Sequence, residues 1–121
     1  MRIIDSNIII YAVQPQFTYL KKYIENADNY TSIVSKIEVL GFKELTFQDR
    51  QLLEDAFNLL NVIPLSEEIA NRAILIKQQK RMSLGDSIVA STALVYDLEL
   101  VTRNFDDFKS VKNLKLFNPF K

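Results

Sequence analysis

Neither histidine nor cysteine occurs anywhere in the 121 residues. Without cysteine there is no disulfide framework and no thiolate metal site. Without histidine there is no Ser-His-Asp or Cys-His nucleophilic couple, no imidazole general base and no zinc site built on imidazole. Carboxylates are then the first candidates for any catalysis, with a hard cation as their natural helper. Glycine is confined to Gly41 and Gly85, and proline to Pro15, Pro64 and Pro119. So few breakers predict long helices joined by short turns, with no linker, repeat or low-complexity segment. A surplus of charge is also missing, since 15 basic and 15 acidic residues cancel. That argues against a general nucleic-acid coat protein and leaves room for a local site of one sign. No apolar run approaches the ~20 residues that span a bilayer. Asp5 interrupts the N-terminal apolar run too early for a signal peptide, so a cytoplasmic location without membrane attachment is expected.

What is present is ordinary for a globular domain: 48% of residues are apolar and 25% charged. The length fits one domain over residues 1–121, which buries roughly two thirds of its unfolded surface. "RIIDSNIIIYAV" reads as a short strand at 2–4, a polar Asp5-Ser6-Asn7 break and a first helical turn. A continued strand is the other reading of Ile8 to Tyr11. Pro15 suits a helix start, with Phe17, Leu20 and Ile24 at helical spacing. Residues 30–33 read as a strand. Ser35 then reads as an N-cap, with Glu38 three residues on in a capping-box pattern, and a helix follows over 36–45. Residues 51–60 are amphipathic, 62–65 a short strand, and Ser66 caps a helix that buries Ile69, Ala73 and Ile76. A strongly apolar helix follows over 85–96, then the strand "ELVT", a loop and short helix "FDDFKSV", and "LKLFNPF" as a last strand or extended tail. This alternation of strands and helices predicts an α/β fold with a parallel sheet covered by helices.

In an open α/β sheet, ligands bind beyond the carboxyl ends of the strands. Asp5 directly follows the first strand. Glu38 lies early in the helix after the second. Asp106 and Asp107 follow Leu100-Val101-Thr102, and Asp86 opens a helix that otherwise has no use for a charge. Each has a plain structural explanation: an N-cap for Asp5, a capping-box partner for Glu38, a cap for Asp86, a solvated loop for Asp106 and Asp107. In a parallel sheet all of them face one rim. Carboxylates without basic partners repel one another, and a divalent cation such as Mg²⁺ relieves that repulsion.

"IIDSNIIIYA", "SKIEVLGF", "SLGDSIVASTAL" and "LVTRNFDDF" resemble the four motifs of PIN-domain ribonucleases, and more closely those of VapC-type toxins of toxin–antitoxin pairs. The resemblance spans nearly the whole chain in the right order, and ordered agreement of several motifs is far more specific than any one. It implies a three-layer α/β/α sandwich with a four- to five-stranded parallel sheet. It implies Mg²⁺- or Mn²⁺-dependent endonucleolytic cleavage of RNA, often in tRNA or ribosomal RNA loops. Asp5, Glu38 and Asp86 fall on the acidic motif positions, and Asp107 matches the acid before Phe108. Asp106 falls on a variable position. Ser6 and Asn7 match the turn that positions the first acid, Thr102 a hydroxyl pointing into the site, and Asn104 a position held by Asp or Asn. A metal ion held by Asp5, Asp86 and Asp107 would lower the pKa of a bound water, and a second ion near Glu38 would stabilise the leaving oxygen.

A polyanionic substrate at an acidic site calls for cations nearby. Lys36, Lys43, Lys80, Arg81 and Arg103 lie near the motifs, and Lys80, Arg81 and Arg103 are the candidate phosphate contacts. Phe17, Tyr19, Tyr23 and Tyr30 could stack on unpaired bases, although helical spacing favours core packing for most of them. The resemblance further implies a VapB-like antitoxin crossing the acidic rim, and a homodimer for which "LGFKELTFQD" and "DAFNLLNVI" carry apolar surface. Two rival readings are a Mg²⁺-binding receiver-like module and a non-catalytic protein-binding scaffold. The first lacks a suitably placed phosphoacceptor Asp and partnering Lys. The second sits uneasily with filled acidic positions.

Overall fold

The computed structural model describes residues 1–120. Five short strands form one parallel sheet: β1 (Arg2–Ile4), β2 (Tyr30–Ser32), β3 (Asn61–Ile63), β4 (Glu99–Val101) and β5 (Leu116–Phe117). The spatial order is β3-β2-β1-β4-β5. The chain thus starts at the centre, builds outward to β3, then returns to the other side of β1. Strand order reverses between β1 and β4, and a crevice opens at such a switch point, beyond the carboxyl ends of the strands.

Seven α-helices cover the sheet: α1 (Ser6–Ala12), α2 (Lys21–Glu25), α3 (Ile33–Leu40), α4 (Phe47–Leu59), α5 (Glu67–Gln79), α6 (Leu84–Val95) and α7 (Phe105–Phe108), with a 3-10 segment at Pro15–Leu20. Alternation along the central strands divides the core in two. Ile3 and Leu100 join Ile69, Ala73 and Ile76 of α5, Val89 and Ala93 of α6, and Phe108 of α7. Ile4 and Val101 join Ile8 and Ile9 of α1, Ile24 of α2, and Leu53 and Phe57 of α4. Both faces of the central strands are buried, as a parallel sheet requires, and the expected α/β/α sandwich is the result.

The helix α6 lies deepest, with Ser87, Ala90, Ser91 and Ala93 almost fully buried. Such small residues let α5 approach closely. Ser91 Oγ then donates to the Ile69 carbonyl at 2.6 Å, so its hydroxyl is satisfied. A chain with little glycine uses other residues for left-handed turns: Asp97 (φ 53°) after α6 and Asn113 (φ 70°) before β5.

Several boundaries differ from the sequence reading. The N-cap before Glu38 is Ser32, not Ser35: Ser32 Oγ accepts from Val34 N at 3.1 Å, and the helix begins at Ile33. Ser35 is inside the helix, buried, and its hydroxyl has no hydrogen-bond partner among the described residues. The capping-box role for Glu38 therefore falls away. The helix also stops at Leu40 rather than 45, because Gly41 ends it and Arg50 Nη1 donates to the Leu40 carbonyl at 2.8 Å. The next helix starts earlier than residue 51, at Phe47, where Thr46 accepts from Asp49 N. Pro15 opens a 3-10 segment rather than an α-helix, with Phe17 at non-helical angles (φ −119°, ψ 31°). Among the described residues no helix is long and apolar enough to cross a membrane.

Candidate active site

Ile4 pairs with Val101 in the β1–β4 ladder, so the next residues, Asp5 and Thr102, emerge side by side at the switch point. Asp5 N donates to the Val101 carbonyl at 3.0 Å, prolonging the ladder by one step. Asp5 also caps α1: its Oδ1 accepts from Ser6 N at 2.9 Å. Its Oδ2 accepts from Thr102 Oγ1 at 2.7 Å and from Asn7 Nδ2 at 3.2 Å. Asn7 Oδ1 in turn accepts from Arg103 N at 3.3 Å, and Thr102 Oγ1 from Asn104 N at 3.0 Å. A capping role and a site role thus coexist in one carboxylate. The network fixes the turn after β1 against the turn after β4.

The other acids arrive from three helices. Glu38 projects from α3 over the start of α6, where a Cβ added to Gly85 would lie 2.5 Å from Glu38 Oε2. Glycine at 85 leaves the Glu38 carboxylate in that position, a role with no signal in the sequence. Asp86 lies in the first turn of α6, but Ser83 is the cap, its Oγ accepting from Asp86 N at 3.1 Å. Asp107 is placed by α7, which the fully buried Phe108 anchors. Asp106, its neighbour, points to solvent and pairs with Lys109 at 3.1 Å. The charge of Asp107, by contrast, acts on Asp86.

Electrostatics ties the acids together. Burial pushes the Asp5 carboxyl up to about 6, the negative charges of Asp86 and Glu38 add to the rise, and the hydrogen bonds from Thr102 and Ser6 oppose it. Glu38 is raised by burial and then by Asp86. Asp86 is raised by burial and then by Asp107, against a hydrogen bond with Ser83. No ion pair among the described residues neutralises any of these four acids. Nor do any three of them form a ready-made ligand set among the described residues. Acid oxygens with a neighbouring hydroxyl, and no nitrogen or sulfur ligand, are the donor chemistry of a hard divalent cation.

The remaining candidates separate. Ser6 contributes its backbone N–H to Asp5, and it lines an apolar groove of about 350 Å³ with Ile10, Glu38, Val39, Phe42 and Leu45. Asn104 contributes its backbone N–H, and its side chain makes no capping bond to α7. Arg103 borders a cavity of about 240 Å³ with Asn104, Phe105, Asp106 and Asp107. Lys80 lines a different groove with Arg72 and Lys112, in which none of the four acids takes part, and Arg81 is exposed. Of the aromatic candidates, Tyr23 is buried in the core while Tyr19 is half exposed.

Residues 2–114 match the family model described as PIN domain. No curated protein matches the chain. Among solved structures, a chain of a toxin–antitoxin complex from Klebsiella pneumoniae is 28% identical, with a TM-score of 0.82, over 100% of this chain and 99% of that one. A chain of VapBC2 from Rickettsia felis, solved bound to a DNA fragment from its promoter, is 22% identical with a TM-score of 0.78, over 97% of each. A chain of FitAcB from Neisseria gonorrhoeae is 22% identical with a TM-score of 0.79, over 98% of each. With the sheet order, the acids at its switch point and this match in hand, the chain belongs to the PIN domain family.

Proposed function

We propose that this protein is a metal-dependent endoribonuclease and the toxin of a toxin–antitoxin pair. One observation carries the reading: acids from four separate elements converge on the switch point with no basic partner among the described residues, and burial and mutual repulsion raise three of them. Asp5, Asp86 and Asp107 would hold Mg²⁺ or Mn²⁺, with Glu38 beside a second ion. When bound, the cation supplies activation of a water molecule and screening of the phosphate charge. Thr102 and Asn7 orient the Asp5 carboxylate toward this task. Their hydrogen bonds also favour its ionised form over the protonated one. Arg103 and Arg81 are the proposed contacts to RNA, whereas Lys80 lies in a groove apart from the four acids.

The solved relatives are toxin–antitoxin complexes, which supports a VapB-like antitoxin as partner. Glu38 also lines the groove of Ile10, Val39, Phe42 and Leu45, so an apolar antitoxin segment seated there would touch one of the acids. A homodimer is the expected assembly, and the exposed Phe47, Leu52 and Leu59 on α4 are candidate contacts.

Cleavage of RNA in Mg²⁺ or Mn²⁺ against EDTA tests the reading, with wild type beside Asp5→Asn and Asp86→Asn. Wild-type cleavage that stops in EDTA and drops at least a hundredfold in both variants is expected. Equal cleavage by the variants removes the metal-site proposal. A non-catalytic scaffold is the second reading, favoured by the lack of a ready-made three-acid ligand set among the described residues. It predicts no cleavage under any of these conditions.

A further inference from the structure

Beside the acidic rim, one cation is locked into a cluster of aromatic rings. The Arg103 guanidinium lies over the Tyr11 ring, 5.1 Å from its centroid, and over the Phe120 ring, 4.8 Å from its centroid. Its Nη1 donates to the Tyr11 hydroxyl at 2.6 Å. Tyr11 and Phe120 meet edge to face at 5.2 Å, and Phe17 packs against both, at 4.9 Å and 5.7 Å. Phe120 N donates to Asn118 Oδ1 at 2.9 Å, which turns the segment Asn118–Phe120 back over α1. Tyr19 continues the row, half exposed and 6.4 Å from Phe120.

An exposed arginine close in sequence to two aspartates would ordinarily pair with one of them. Arg103 forms no ion pair among the described residues, and Asp106 is occupied by Lys109. Its charge stays open to an anion while rings support its plane. Arg103 N donates to Asn7 Oδ1, and Asn7 donates to Asp5, so the backbone of Arg103 is tied to the acids. A planar, supported, exposed guanidinium is the kind of surface on which unpaired bases stack, and a base in a duplex cannot reach it. Cation–aromatic contacts of this sort hold the arginine plane in one orientation.

We infer that Arg103, backed by Tyr11 and Phe120, is a stacking platform for one unpaired nucleobase of an RNA strand lying across the acidic rim. The inference rests on the ribonuclease reading and adds to it that the substrate is single-stranded at that point. Arg103 touches the base, and Tyr11 and Phe120 are positioning residues.

Binding of a short single-stranded RNA, its duplex and an abasic version is measured by anisotropy in EDTA. The variants are Arg103→Lys, which keeps charge and loses the plane, Phe120→Leu, which loses the ring, and Tyr11→Phe, which loses one hydrogen bond. Arg103→Lys and Phe120→Leu are expected to weaken single-strand binding about fivefold or more, and Tyr11→Phe less. The loss should vanish on the abasic strand, and the salt slope of Arg103→Lys should match wild type, since phosphate contacts set that slope. In Mg²⁺ the same variants should raise KM more than they lower kcat. Arg103→Lys is solvent-exposed and serves even if Phe120→Leu fails to fold. Wild-type affinity in Arg103→Lys, or an equal loss on the abasic strand, overturns the platform. So does competition by oligoglutamate as strong as by RNA, which would assign the face to an acidic protein segment. Wild-type protein that cuts RNA while Arg103→Lys matches it removes the platform and leaves the nuclease reading intact. Wild-type protein that neither binds nor cuts RNA removes both.

Discussion

Asp5 serves two ends that conflict. As the cap of α1 and acceptor from Thr102 it is held ionised, yet burial lifts its carboxyl to about 6. The unfolded chain has the ordinary value of 3.8, so between the two the folded protein binds a proton that the unfolded chain releases. Stability without metal is then fully present below the unfolded value and declines as pH rises toward 6, by at most about 3 kcal/mol. Glu38 and Asp86 shift in the same direction. The thermal midpoint of metal-free protein should therefore fall between pH 5 and pH 7. Asp5→Asn should flatten that slope and raise the midpoint at pH 7 by several degrees. A slope unchanged in Asp5→Asn would show that other groups produce it. Gly85 offers a second test at this scale. Alanine there meets only the mobile end of Glu38, so Gly85→Ala should fold normally and displace that carboxylate. Cleavage should drop about tenfold or more, and adding Glu38→Asp, one methylene shorter, should restore part of it. A Gly85→Ala protein as active as wild type would mean that the Glu38 position is immaterial.

The helix α3 shows where reading from sequence reaches its limit. The S-x-x-E pattern alone made Ser35 the cap and placed Ser32 in the strand before it. Packing decides otherwise: Val39 and Ser35 face the interior, so the helix must begin a turn earlier, at Ile33. Ser32→Ala should lose about 1 kcal/mol through the cap. Ser35→Ala removes a buried hydroxyl without a partner and should be neutral or stabilising. Urea unfolding distinguishes the two, and a larger loss at Ser35 would restore the original placement of the cap. The junction of β1 and α1, by contrast, was legible, because the polar D-S-N break follows the short apolar strand at once. The places of three acids were legible in the same way, Asp5 directly after a strand and Asp86 and Asp107 in first helical turns, whereas Glu38 lies toward the end of α3. Phe120 was not, because its contact with Arg103 depends on where β5 lies relative to β4. Nor was the place of Lys80, which follows from how α5 ends rather than from nearness to Asp86 in sequence.

At the scale of the whole molecule the four acids come from both layers and the sheet between them. Asp5 leaves the sheet, Glu38 comes from α3 on the core shared with α1 and α4, and Asp86 and Asp107 come from helices of the opposite core. Repulsion among them opposes closure of the rim, and the balanced net charge of +0 gives no long-range field to offset it. A divalent cation shared by these acids should act as a clasp between the two layers. Binding to the folded state alone raises stability by RT ln(1 + [L]/Kd), about 2.7 kcal/mol at a hundredfold excess over Kd. The thermal midpoint should therefore climb with the logarithm of Mg²⁺ or Mn²⁺ concentration, and the decline of stability toward pH 7 should shrink once metal is bound. KCl at the same ionic strength should give a much smaller rise, because diffuse screening reaches partly buried charges weakly. Asp86→Asn and Asp107→Ala should lose most of the Mg²⁺ effect, whereas Asp106→Ala, already paired with Lys109 at the surface, should retain it. Equal stabilisation of wild type and Asp86→Asn by Mg²⁺ would place the cation elsewhere, and equal stabilisation by KCl would reduce the clasp to general screening.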